Sequence, residues 1–170
     1  MATWTIDPMH SEVQFKVKHL VISTVTGSFK TYSATVTTDG DNFDNAKVHF
    51  EADTKSIDTG VEQRDQHLQG DDFFNSEKFP KLTFESKSFS GSKLTGDLTI
   101  RDVTKEVTLD VEFGGKMTDF YGNEKAGFEV TGKINRKEFG LQWAAVTEAG
   151  GIVVGDDVKL IANIQLQKQA

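Results

Sequence analysis

The segment Val107–Phe113 (VTLDVEF) decides the fold, because apolar and polar side chains alternate in it without a break. Successive side chains of a β-strand point to opposite faces, so this segment is predicted to be a strand with one dry face and one wet face. Strands of parallel sheets are buried on both faces and read as continuous apolar runs. The alternation therefore favours an antiparallel sheet.

The same period of two recurs along most of the chain. Turn-forming residues at 39–42 (DGDN) and 90–92 (SGS) are typical of hairpins between such strands. The sequence predicts about eight strands, and a sheet of that size closes into a barrel or folds over on itself. The strand segments are Ser11–Lys18, Val25–Thr38, Ala46–Asp53, Leu82–Glu85, Leu94–Ile100, Val107–Phe113, Phe128–Asn135 and Val158–Leu166, with limits or bulges at Gly114-Gly115 and Asp156-Asp157.

Two segments depart from the alternation. Residues 59–62 (TGVE) fit a capping box that opens a helix over Glu62–Gln69, so one short helix is predicted near residues 60–70, packed against a barrel end. The stretch 139–155 contains Trp143 and has no clean period. It is predicted to be either a lid that touches a ligand or a covering flap without that role.

Composition limits the classes of function. The chain has 170 residues, enough for a single domain over 1–170, and its 26 % charged and 36 % hydrophobic residues are typical of a soluble globular protein. No apolar run is long enough to span a bilayer. The formal net charge of −7 argues against nucleic-acid binding and against attraction to anionic membrane surfaces.

Metal, cofactor and catalytic motifs are not found in the sequence. The chain has no cysteine, which excludes disulfides, thiolate catalysis and cysteine-type zinc sites. Its four histidines have no metal-ligand spacing, and no phosphate-binding glycine motif occurs. We therefore predict no catalytic residue, no metal and no cofactor.

The start of the chain bears on location. Residues 1–4 (MATW) show no basic region, apolar core or cleavage site. We expect a cytoplasmic protein if this N-terminus is native, and a periplasmic or secreted one if a signal peptide has been removed.

One cluster keeps an enzyme hypothesis open. Residues 64–67 (RDQH) are the densest group of titratable side chains. This cluster, His19 or Arg136 could serve as acid or base at a barrel mouth on a lipid-like substrate. Ion pairing on the helix surface and attachment of the helix to the barrel rim explain the same residues without catalysis.

The inward phase of the strands is rich in phenylalanine and branched aliphatic residues. An ordinary packed core would show the same pattern, so the alternation alone does not separate a filled barrel from a hollow one. His19 and Arg136 continue the inward phase of their strands and are its polar exceptions. Because a buried polar group needs a partner, each either emerges at the rim or meets the polar head of a ligand.

An ordered set of short motifs runs nearly from end to end of the chain. The motifs are Trp4–Asp7, His10–His19, Gly27–Phe29, Ser56–Gly60, Arg64–Leu68, Asp72–Phe74, Phe79-Pro80, Gly96–Ile100, Val103-Thr104, Gly127-Phe128, Arg136–Leu141 and Val154–Asp156. This set resembles the motifs of the YceI family of lipocalin-like, polyisoprenoid-binding proteins. The departures are small: Tyr121 stands where tryptophan is common, Asn75 where aspartate is common, and Arg101-Asp102 replace a small or glycine-containing turn.

The resemblance implies a closed eight-stranded antiparallel barrel with a helix at one end, and an amphiphile whose long apolar chain threads the interior. It implies an often dimeric, non-enzymatic protein that binds, stores or transports a polyisoprenoid, an isoprenoid quinone or a fatty amphiphile, without stable membrane insertion. The residues predicted to bind this ligand are Phe15, Val17, His19, Phe29, Phe84, Leu98, Ile100, Leu109, Val111, Phe128, Ile134, Arg136 and Trp143.

Overall fold

The computed structural model describes residues 2–19, 23–39, 43–70, 74–139 and 154–169. One α-helix, α1, covers Glu62–Leu68, and short 3-10 turns cover Pro8–His10, Thr54–Ser56 and Arg136–Phe139. The strands are β1 (Ala2–Ile6), β2 (Glu12–His19), β3 (Ser23–Phe29), β4 (Tyr32–Thr38), β5 (Lys47–Asp53), β6 (Ile57–Asp58), β7 (Lys81–Ser90), β8 (Lys93–Ile100), β9 (Val103–Thr118), β10 (Glu124–Asn135) and β11 (Val154–Lys168).

The sheet closes on itself. The hydrogen-bonded order β1-β4-β5-β7-β8-β9-β10-β11 returns to β1, where Trp4 pairs with Lys168, and every pairing in the ring is antiparallel. The ring has eight members. The prediction of a closed eight-stranded antiparallel barrel is therefore confirmed.

Three of the eight barrel strands are interrupted. β11 pairs with β1 at Leu166 and with β2 at Ala162, so β1 and β2 are two parts of one strand on either side of the turn Pro8–His10. β3 and β4 likewise form one interrupted strand, because β3 pairs with β2 and β4 pairs with β1. β5 and β6 form the third interrupted strand, because β5 pairs with β4 and β6 pairs with β3.

The pairing register shifts at two predicted positions. Phe113 pairs with Phe128 but Gly115 pairs with Gly127, which leaves Gly114 unpaired inside β9. A second shift lies between Val154 and Val158 of β11. Both predicted glycine and aspartate sites are therefore bulges within strands. The bulge in β9 inserts one residue, which turns the following side chains to the other face.

The antiparallel order gives the barrel two distinct ends. The hairpin end carries the β7–β8 turn at 91–92 and the β9–β10 turn at 119–123. The helix end carries the β8–β9 turn at 101–102 and α1, which follows β6. The short helix near residues 60–70 is confirmed.

The start of α1 differs from the predicted capping box. The Thr59 backbone N–H and hydroxyl both donate to Asp65 Oδ1, at 2.7 Å and 2.5 Å, whereas a capping box would make Glu62 the acceptor for that N–H. Gly60, with φ of 86°, turns the chain before the helix begins. Within the described residues, no helix is long and apolar enough to cross a membrane.

Candidate functional site: an apolar cavity inside the barrel

The barrel is hollow. A cavity of about 330 Å³ lies inside it, within the size range of pockets that hold small molecules. Among the described residues that line it, only Gln14 and Thr59 have polar side chains. The strand alternation produces this wall, because each strand turns its apolar phase inward. The alternative of a solid barrel is therefore wrong.

Most of the predicted site residues form the wall of this cavity. They come from both the interrupted and the continuous strands, so all sides of the barrel contribute. The predicted residues that line the cavity are Phe15, Val17, Phe29, Phe84, Leu98, Ile100, Leu109, Val111, Phe128 and Ile134.

Two of the three remaining predicted residues, His19 and Arg136, belong to the helix end. His19 is the last residue of β2 and pairs with Val154, and Arg136 opens the 3-10 turn after β10. Trp143 lies outside the described residues, as do the side chains of His19 and Arg136. Their contact with a ligand head stays a prediction.

The cavity also has aromatic walls that the site prediction omitted. Phe50 follows the outward His49 on β5, so its inward position could have been found from the alternation. Phe43 and Phe74 reach the cavity from outside the strands, where no period marks them. Phe89 also lines the cavity, although it is five residues from Phe84 and strict alternation would place the two on opposite faces of β7.

The position of Phe89 follows from a bulge in β7. The register against β8 shifts between Ser86 and Ser88, so Lys87 is the extra residue. The Ser86 hydroxyl accepts a hydrogen bond of 2.8 Å from the Val48 backbone N–H. The shift returns an aromatic side chain to the interior near the hairpin end.

Aromatic rings crowd the hairpin end of the cavity. The Phe43 ring centroid lies 5.0 Å from those of both Trp4 and Phe128 and 5.9 Å from that of Phe113. The Lys116 ammonium lies over the Phe43 ring, 5.4 Å from its centroid, which is cation–π geometry. These contacts connect the cavity wall to residues at the barrel edge.

One buried donor at this end has no acceptor among the described residues. The Trp4 indole Nε1 is buried and makes no hydrogen bond with the described residues. Leaving a buried N–H unpaired costs about 1–3 kcal/mol. An acceptor oxygen brought to this end by a ligand would offset that cost.

A buried lysine forms an ion pair outside the cavity. Lys125 is buried, and its Nζ donates to Asp7 Oδ2 at 2.8 Å, while His10 Nδ1 contacts the same oxygen at 2.8 Å and the Met9 N–H donates to Oδ1. Hydrogen bonding from Lys125 above all, then from His10 and Met9, lowers the pKa of Asp7 from 3.8 to about 2. The pair holds the turn Pro8–His10 against the barrel.

His49 lies on the outer face of β5 and is paired there. Its Nδ1 contacts Glu85 and its Nε2 lies 3.6 Å from Glu51, which also accepts a hydrogen bond of 3.0 Å from Lys81. The hydrogen bond with Glu85 is the main cause that raises the pKa of His49. This ladder of charges crosses β5 and β7 on the surface away from the cavity.

In the cluster 64–67, on which the enzyme hypothesis rests, the described ionisable side chain has a structural role. Asp65 is held by Thr59 at the start of α1, and the side chains of Arg64 and His67 are outside the described set. In the described ranges, no group of three or more metal-ligating side chains comes together. No observation in this part of the chain favours a catalytic site.

A closed antiparallel barrel around an apolar cavity defines a lipocalin-like β-barrel. The chain belongs to the YceI-like family, since the model of the YceI-like domain matches residues 4–166. A UPF0312 protein of Staphylococcus aureus (strain USA300) is 41 % identical over 166 residues, covering 97 % of each chain. The UPF0312 protein of strain N315 is 40 % identical over the same coverage.

Solved structures agree with this assignment. The Campylobacter jejuni YceI protein is 36 % identical, with a TM-score of 0.77 over 90 % of each chain. Burkholderia cenocepacia BcnA, 23 % identical, shares the fold with a TM-score of 0.78 over 94 % of this chain and 98 % of its own. A polyisoprenoid binding domain from Saccharophagus degradans, 14 % identical, shares the fold with a TM-score of 0.71 over 98 % of each chain.

Proposed function

We propose that the protein binds a long-chain amphiphilic lipid, a polyisoprenoid or an isoprenoid quinone, and stores or transports it without chemical change. The observation that carries the proposal is the cavity wall, in which only Gln14 and Thr59 are polar among the described lining residues. Such a wall offers almost no hydrogen bonds or charges to a polar substrate. It suits a hydrocarbon chain.

Affinity would come from burying the tail. Each CH₂ group removed from water contributes about 0.8 kcal/mol, so several isoprene units exceed the entropy cost of association without a specific polar contact. Selectivity would then depend on chain length and shape. Membership of the YceI-like family supports a binding role, and the Saccharophagus degradans domain of the same fold is described as polyisoprenoid binding.

Titration with geranylgeraniol, a long isoprenoid alcohol, tests the proposal. Native mass spectrometry of the protein after addition from ethanol should show a complex with one bound alcohol. A protein that stays free of lipid at saturating geranylgeraniol, and of any longer isoprenoid, overturns the proposal.

A matched pair of variants tests whether the ligand lies in the cavity. Leu109 lines the cavity, whereas its neighbour Thr108 is exposed on the same strand. Leu109→Arg should abolish binding of geranylgeraniol, because an unpaired charge inside the barrel excludes the tail. Thr108→Arg should leave binding unchanged.

A second variant covers the case in which Leu109→Arg fails to fold. Leu109→Phe keeps the wall apolar, but the larger side chain takes up part of the cavity, so we expect a folded protein with weaker binding. Circular dichroism and thermal unfolding check the fold of each variant. A folded Leu109→Arg protein with full binding places the ligand elsewhere.

A further inference from the structure

The hairpin between β9 and β10 exposes a group of large apolar side chains. Phe120 is 99 % exposed, Tyr121 is 87 % exposed, and Met117 on the strand that leads to them is 60 % exposed. We call Met117, Phe120 and Tyr121 the aromatic tip. Soluble proteins seldom group exposed apolar side chains unless the group binds something.

The turn that carries the aromatic tip is built by its own hydrogen bonds. Asp119 Oδ1 accepts from the backbone N–H groups of Tyr121 and Asn123, both at 2.9 Å. The Asp119 N–H donates to the Asn123 carbonyl at 2.8 Å, and the Gly122 N–H donates to the Asp119 carbonyl at 3.1 Å. The turn therefore holds Phe120 and Tyr121 outward as a fixed feature.

The aromatic tip stands at the hairpin end of the cavity. Phe113, on the same hairpin, is half-exposed, and its ring lies 5.2 Å from Phe128 and 5.9 Å from Phe43. Phe43 and Phe128 both line the cavity. One hairpin thus bears an exposed tip and an aromatic contact with the cavity wall.

We propose that the aromatic tip docks on the interface of a lipid bilayer. Tyrosine and phenylalanine place an apolar ring at the depth of the lipid headgroups, and tyrosine keeps its hydroxyl in contact with water. A second copy of the chain fits less well. A stable dimer buries roughly 800 Å² on each partner, more than three side chains on a convex turn provide.

The charge of the protein decides which bilayer it prefers. A net charge of −7 opposes binding to anionic lipid, so the attraction comes from burying the aromatic tip. Binding to zwitterionic phosphatidylcholine should therefore resist salt. The biological use of this docking rests on the proposed function. A hairpin end docked on a bilayer would place the cavity beside the membrane lipid whose apolar tail it binds.

Flotation with phosphatidylcholine vesicles tests the inference. The wild-type protein should float with the vesicles at low and at high salt. A double variant, Phe120→Ser with Tyr121→Ser, should reduce the partition coefficient roughly tenfold or more, because the apolar area that enters the interface is lost. The control is Val61→Ser, which removes another exposed apolar side chain at the helix end and should float like the wild type.

Three results of the flotation experiment would overturn the inference that the aromatic tip docks on a bilayer. The first is a double variant that floats as well as the wild type. The second is wild-type binding that requires anionic lipid and disappears in salt. The third is a wild-type protein that does not float but forms a dimer which the double variant cannot form, because the tip would then be a protein interface.

A second readout separates this inference from the proposed function. Binding of geranylgeraniol added from ethanol should be equal in the wild type and the double variant, whereas its transfer from vesicles should slow about tenfold in the variant. If the wild type floats but binds no isoprenoid, membrane docking stands and the proposed function fails. Equal transfer rates in the two proteins count against docking at the tip.

Discussion

The Phe15 ring lies so close to the backbone of Gly27, its partner on the neighbouring strand, that a β-carbon at position 27 would stand 2.3 Å from the ring's Cζ. Both residues belong to the inward phase, and Phe15 lines the cavity. The far end of the ring fills the space that a side chain at position 27 would take. Glycine therefore lets Phe15 pack against the backbone of its neighbouring strand.

Gly27→Ala should shrink the cavity. The added methyl group pushes the Phe15 ring inward, and we expect a loss of about 1–3 kcal/mol in the free energy of unfolding together with weaker binding of geranylgeraniol. Urea denaturation and a binding titration measure the two effects. Gly127→Ala is the control, because a β-carbon there meets nothing within 4 Å. Equal behaviour of the two variants would contradict the packing described for Phe15.

The bulge in β9 should depend on one of its two glycines. Gly115 has φ of 123°, which side chains rarely adopt, whereas a β-carbon on Gly114 would make only ordinary contacts, the nearest at 3.4 Å. We expect Gly115→Ala to cost about 1–3 kcal/mol of stability and Gly114→Ala much less. Thermal unfolding of both variants checks the order, and a reversed order would show that the bulge tolerates a side chain at 115.

The Asp7–Lys125 pair should make stability fall in acid. The pKa of Asp7 is lowered from 3.8 to about 2, so its contribution is complete above about pH 4 and is lost as the pH falls through 2. The shift corresponds to about 2 kcal/mol. Unfolding measured in urea between pH 2 and pH 5 should show this loss, and Asp7→Asn should remove most of the slope.

At neutral pH, Asp7→Asn leaves the Lys125 ammonium buried without its carboxylate, so we expect a loss of about 3 kcal/mol. The control is Asp110→Asn. Asp110 pairs with Lys93 on the exposed outer face, where such pairs contribute about 0–1 kcal/mol. A loss at Asp110 as large as that at Asp7 would mean that burial does not set the strength of these pairs.

His49 should titrate above its ordinary value of 6.5. Its pKa is raised chiefly by the hydrogen bond with Glu85, so the stabilisation it adds is complete below the unfolded pKa and is lost as the pH rises through the raised one. An NMR titration of the ring protons should show a lower midpoint in Glu85→Gln. Glu106→Gln, which removes a charge paired with Lys87 instead, should leave the midpoint unchanged.

The alternation predicted the architecture because the side-chain phase of a strand is a local property. Leu98 and Leu109 lie on the cavity wall. Their neighbours Asp97 and Thr108 face outward, because adjacent residues of a strand point to opposite faces of the sheet. Local patterns also located the helix and the glycine bulge. That the wall encloses a cavity depends on the diameter that eight tilted strands give a barrel, which no single residue specifies.

Other features follow from tertiary contacts that the pattern does not contain. Phe89 faces inward only because the strand bulges at Lys87, and Phe43 reaches the cavity from a connection between strands. The Thr59 N–H donates to Asp65, six residues further along the chain, after Gly60 has turned the backbone ahead of α1. In each case the deciding contact lies outside the alternating segment.

The seam between β1 and β11 has a consequence for biosynthesis. Each hairpin between neighbouring strands can form from residues that leave the ribosome together, but Trp4 meets Lys168 across nearly the whole length of the chain. Before translation reaches β11, the sheet is an open ribbon whose apolar face is in contact with water or a chaperone. The nascent chain therefore cannot enclose a ligand, and loading has to follow synthesis of the last strand.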